Sequence, residues 1–150
     1  MRAALAIAVL FALAAPFCCL AAEQQPDLDK LIARADAAGE QKAELYARVV
    51  EAEVAAAEHQ FAQGQSDAGF ASVDAVNDYS DKCLAAAQQH AKRLKEAEIA
   101  LRKSARRLRD VEQTLEFESR PKLKASVEHL EEVRSKLLQI MFAPPHKKGP

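Results

Sequence analysis

The sequence predicts an all-α protein, and three observations carry that prediction. The first is composition: the 150-residue chain is rich in Ala, Glu, Leu, Lys, Arg and Gln, lacks tryptophan and is only 5% aromatic. Residues that favour strands are therefore scarce. The second is that apolar residues recur at helical spacing along most of the chain. The third is one long uninterrupted run, from Asp67 to about Glu116, with no proline and with Gly69 as its only glycine. Read as one helix, that central run is about 75 Å long.

Its apolar seam reads in heptads. Val73 and Val76 start the pattern, followed by Ser80/Cys83, Ala87/His90, Leu94/Ala97, Leu101/Ser104 and Leu108/Val111, ending at Leu115. The spacing is that of a coiled-coil strand. The content is thin in the middle, from Ala85 to His90, and too polar in places for a self-sufficient zipper.

Helices flank this run on both sides. Residues 27–37 carry Leu28, Leu31, Ile32 and Ala35 on one side, and Gly39 reads as the left-handed cap that ends them. Residues 40–63 place Tyr46, Val49, Val50, Val54, Ala57 and Phe61 on one face, with alanines that allow close approach of another backbone. Gly64 suits the position after that helix, and Ser66 or Asp67 is expected to cap the next one through its side chain. The sequence Glu118-Ser119-Arg120-Pro121 reads as the second turn, because proline is tolerated in the first turn of a helix. A last helix then spans 121–142, with Leu123, Val127, Leu130, Val133, Leu137, Ile140 and Met141 on its apolar side. The flanking helices, about 36 and 33 Å long, together match the central one. The expected architecture is two antiparallel hairpins sharing that helix, with the 27–37 helix over an exposed seam. Self-association would bury the apolar surface left over, giving a homo-oligomer.

The two ends of the chain read as processing and tail segments. Arg2 precedes thirteen apolar residues (3–15), Pro16 breaks the run, and small residues lead to Ala22 before Glu23. That order is a secretory signal, so residues 1–22 are expected to be a leader and the protein to be exported, periplasmic or secreted. The run is too short to span a membrane. Cys18 and Cys19 leave with the leader, and Cys83 is then the only cysteine, too few for an internal disulfide framework. Residues 23–142 form one helical domain, and residues 143–150 a loose tail.

At 57–76 the chain resembles a single tetratricopeptide-type helical hairpin. Ala57, Phe61, Gly64, Gly69, Val73 and Val76 fall at the spacings of that pattern. The resemblance covers this one unit, with no second copy at the usual period. What it implies is a protein-binding helical fold, with no chemistry of its own.

Charge gives the one strong surface signal. Residues 23–81 carry thirteen acids and four bases, whereas residues 82–150 carry sixteen bases and nine acids. Within 92–110, eight bases face three acids. Lys95, Arg102, Arg106 and Arg109 share one helical face and are the candidate residues for an anionic partner. The competing reading is a solvated face paired locally or with the acidic half. A mature chain that is not basic, with no aromatics among these bases, argues against nucleic acid. A membrane surface is disfavoured, because interfacial helices usually carry bulkier apolar faces.

No chemistry is written elsewhere. Cys83 and His90 lie seven apart on the seam, but a zinc site needs three or four ligands. There is no nucleophile motif and no glycine-rich phosphate loop. The reading is a small exported interaction or scaffold protein, not an enzyme, with no cofactor, no metal and a protein partner. The runner-up is an anion-binding accessory of the cell envelope that uses the basic face of 92–109.

Overall fold

A computed structural model describes residues 25–143. The expected leader and all of the expected tail except Ala143 lie outside the described residues. Five helices account for most of the described chain: α1 (Gln25–Ala37), α2 (Lys42–Ala62), α3 (Ser66–Gln89), α4 (Leu94–Thr114) and α5 (Arg120–Phe142). The fold is all-α, and the spans follow the apolar periodicity closely.

The central run is not one helix. It breaks at His90–Arg93, where His90 turns extended (φ −138°, ψ 100°) and Arg93 adopts a left-handed conformation (φ 56°, ψ 28°). The two hairpins α2–α3 and α4–α5 therefore share no helix, which corrects the expected spine. The physical reason lies in the seam. Val73, Val76, Ser80, Cys83 and Ala87 on α3, and Leu94, Ala97, Leu101, Ser104 and Leu108 on α4, are all buried. A straight helix would need a partner wall along its whole length to cover them. Folding back at the alanine-rich middle places both halves in one core.

That core is closed by a ring of four helices. α2 packs on α3, α3 on α5, α5 on α4 and α4 on α2, while α3 and α4 lie diagonally and barely touch. The hairpins stand side by side, so α2 runs parallel to α4 and α3 parallel to α5. Equivalent positions of the two hairpins are buried, at one offset between α2 and α4 and another between α3 and α5. Tyr46, Val50, Val54 and Ala57 of α2 correspond to Ala97, Leu101, Ala105 and Leu108 of α4; Val73, Val76 and Cys83 of α3 correspond to Val127, Leu130 and Leu137 of α5. Helix α1 lies against α2 on the outside, tied by the Tyr46 hydroxyl donating to Asp36 Oδ1 at 2.7 Å.

The tight α2–α3 turn shows why its glycines are there. Gly64 has φ +74°, its N–H donates to Phe61 O at 3.0 Å, and Gln65 N–H reaches Gln60 O at 2.9 Å. This is the Schellman arrangement, in which a left-handed residue satisfies the last carbonyls of a helix. Gly69 lies under the Phe61 ring, and a Cβ there would meet ring carbons at 2.7–2.8 Å. Two local expectations fail. Gly39 is not left-handed, and α3 begins after Gln65 with no side-chain cap from Ser66 or Asp67. The Schellman bonds already fix the chain there, so the cap is not needed to set the turn.

Two stability measurements check this description. Leu101, fully buried between the hairpins, is expected to lose about 3 kcal/mol on Leu101→Ala in denaturant unfolding. Among variants of Arg93, Arg93→Gly should melt a few degrees above Arg93→Ala, because both lose the side chain but only glycine accepts the left-handed backbone freely.

Candidate interaction surface

The basic run of 92–109 divides by direction once α4 is placed. One side of it faces α2, and there each base meets an acid of the first half of the chain. Lys92 Nζ lies 2.5 Å from Glu40 Oε1, Arg93 Nη1 donates to Glu44 Oε2 at 2.7 Å, and Lys103 Nζ is 3.2 Å from Glu51. Arg107 grips Glu58 with two nitrogens, its Nε donating at 2.8 Å. This ladder runs the length of the parallel pair. The side facing α5 is paired as well: Arg134 Nε donates to Glu98 Oε1 at 2.6 Å and Nη1 to Glu131 at 3.0 Å. Opposite charge between the two halves of the chain is thus used inside the molecule.

Between these two seams runs the outer stripe of α4. Lys95, Ile99, Arg102 and Arg106 follow one another at spacings of four, three and four, and all are exposed. Lys95 and Arg106 have no carboxylate within 4 Å among the described residues, and Arg102 reaches Glu98 only at 3.8 Å. Ile99 is 42% exposed between them, one of three exposed large apolar side chains among the described residues, with Phe117 and Phe142. Arg109 sits at the α5 edge of the stripe, 3.6 Å from Glu131. Of the four candidate residues, three therefore form one stripe and the fourth belongs to its margin.

Two buried carboxyls are perturbed in opposite directions. Burial pushes Glu44 up, but hydrogen bonds from Arg93 and Arg48 outweigh it and hold the carboxyl below the usual range. Glu53 is 8% exposed and has no cation within 4 Å among the described residues. Burial raises its carboxyl above the usual range, and the Ser72 hydroxyl only partly offsets that. Glu53 lines a groove of about 450 Å³ between α1 and the α2–α3 hairpin, with Leu28 and Leu31 on one wall and Ala52, Ala56 and Gln60 on the other. The Gln60 side-chain oxygen is buried there without a hydrogen-bond donor. The sequence reading passed over this groove. Its signal was a glutamate on the apolar side of α2, three after Val50 and four before Ala57.

The cysteine and histidines do not assemble. Cys83 is fully buried, its Sγ 3.3 Å from the Ala43 carbonyl oxygen, and burial pushes the thiol up to about 12. A thiol so placed is not a nucleophile at neutral pH. His90, in the break, is exposed, so it does not share a site with Cys83. His129 Nε2 lies 3.0 Å from Asp81 Oδ1, across the α3–α5 interface. Among the described residues no group of three or more potential ligands is arranged to hold a metal ion, and no helix is long and apolar enough to cross a membrane. Comparison of the chain with protein-family models, with curated proteins and with solved structures finds no match.

The two carboxyls give pH responses of opposite sign. Glu44, held low in the fold, contributes stability that is present above the ordinary glutamate range and lost as the pH falls below it. Glu53, held high, stabilises most at acid pH, and its contribution is lost as the pH rises through its raised value. Glu53→Gln should therefore stabilise the protein by about 1–2 kcal/mol at pH 7, and by progressively less towards pH 4. Glu44→Gln should destabilise it at pH 7 by about 1–2 kcal/mol, again with a shrinking gap in acid. Thermal melts across pH check both.

Proposed function

We propose that this chain is an exported, non-catalytic interaction protein that binds an acidic protein partner through the outer stripe of α4. The observation that carries the proposal is the contrast within one helix. Bases facing α2 and α5 are matched by carboxylates, whereas Lys95 and Arg106, beside an exposed isoleucine, have none within 4 Å among the described residues. Holding like charges four residues apart, as at Arg102 and Arg106, costs a few tenths of a kcal/mol on an isolated helix. A partner with an acidic, partly apolar face would relieve that repulsion and cover Ile99. Export rests on the order of residues in 1–22, and protein binding agrees with the tetratricopeptide-type likeness of 57–76.

A second reading is favoured by the same isoleucine. Cations around an exposed apolar side chain also suit an anionic surface of the cell envelope, lipid or polymer.

Capture from the native envelope separates the two. Lys95→Glu, Arg102→Glu and Arg106→Glu together should abolish recovery of the partner, with the melting temperature changed by only a few degrees. Capture unaffected by the triple reversal would sink the proposal. Binding of the parent chain to anionic but not neutral vesicles, lost in the same variant, would transfer it to the second reading.

A further inference from the structure

We propose that the groove between α1 and the α2–α3 hairpin is a binding site for a small organic cation, a primary ammonium carried on a short alkyl chain. Three independent features of the groove meet in that ligand. Glu53 supplies a carboxyl that is more than nine-tenths buried, with no cation within 4 Å among the described residues. Gln60, seven residues further along α2, supplies a buried side-chain oxygen with no donor among the described residues. Leu28, Leu31, Ala52 and Ala56 supply an apolar wall. An ammonium is a pure donor with three N–H groups. It can meet the Glu53 carboxylate while its alkyl chain lies against the leucines and alanines.

The volume argues for a small molecule. About 450 Å³ falls within the range of small-molecule pockets, which are mostly apolar with a few fixed polar groups. The charge argues against anions. Asp27 stands at the mouth of the groove, and its one neighbouring cation, Lys30, is 3.8 Å away and exposed. His59 is the one basic side chain among the residues that line the groove.

Stability supports a functional reading of Glu53. A lone carboxyl in a core is destabilising unless it is paired, and a glutamine would fill the same space. Raised carboxyls of this kind gather at binding sites, where a ligand supplies the missing charge. The Ser72 hydroxyl of α3 hydrogen-bonds the carboxyl but brings no positive charge to it.

Titration calorimetry with the full chain and three probes of equal length tests this. Hexylamine is expected to bind at least about tenfold tighter than 1-hexanol or hexanoate, and to raise the melting temperature with concentration. Amide chemical shifts should move at Leu31, Ala52 and Gln60. Glu53→Gln, which keeps the shape and stabilises the free protein, should weaken hexylamine about tenfold or more and leave hexanol unchanged. Gln60→Ala should weaken it less. Equal affinity for hexylamine and hexanol would mean an apolar groove with no role for charge, and would overturn the proposal. So would tighter hexanoate, shifts confined to another surface, or undiminished hexylamine binding by Glu53→Gln.

Discussion

The apolar seam that both halves of residues 67–116 must bury is the constraint on which the rest of the structure depends, and ion pairs at the starts of α2 and α4 mark where the chain turns back. Lys92 with Glu40, and Arg93 with the buried Glu44, fix the chain where it leaves α3 and turns back. A run of fifty residues without proline favours continuing as a helix. What opposes continuation is the exposed seam on each half, which can be covered only if the halves meet. The break falls between them, where alanines and a histidine make the seam thin. Arg93 takes a left-handed backbone that most residues avoid, and its guanidinium gains a carboxylate in the core wall. Burial of Leu94, Leu101 and Leu108 follows from that turn.

Two hairpins set side by side in this way make parallel pairs, α2 with α4 and α3 with α5. Parallel neighbours align their dipoles, and each pair here is laced by opposite charge. Glu40, Glu44, Glu51 and Glu58, in or just before α2, meet Lys92, Arg93, Lys103 and Arg107, in or just before α4; across α3 and α5, Asp74 meets Lys122 at 3.0 Å and Asn77 Nδ2 donates to Ser126 Oγ at 3.0 Å. Most of these pairs are exposed enough to be worth little singly. Their effect is on register, since each hairpin can slide only by breaking several. The same arrangement decides which charges remain for a partner, because the stripe of Lys95, Arg102 and Arg106 points away from both seams.

Element spans were legible because helical periodicity is a local property. Of the residues the heptad seam named, only His90 is exposed, and it lies in the break; Gly69, Ser72, Ala86, Glu98, Ala100 and Ala105 are buried outside that seam. The break itself was not legible, since no glycine or proline marks 90–93 and the groups that stabilise it, Glu40 and Glu44, are about fifty residues away in sequence. The candidate surface was partly legible. Opposite charge in the two halves did foretell pairing between them, but only the direction of α4 separates Lys95 and Arg106 from Lys103 and Arg107. The groove was hidden for the opposite reason: Glu53 looks like an ordinary helical glutamate until α1 and α3 close around it.

The central claim is that residues 67–116 fold back on themselves, and a distance between their two ends tests it most directly. Spin labels at Ala71 and Asp110, both exposed, report that distance without interference from the buried Cys83. Diagonal helices of one bundle predict a separation of about 20–30 Å, allowing for interaxial spacing and label length. A single straight helix would place the labels nearly 60 Å apart, about 1.5 Å for each intervening residue. A narrow distribution at the short distance is the result the folded-back structure requires, and a dominant population at the long distance would contradict it.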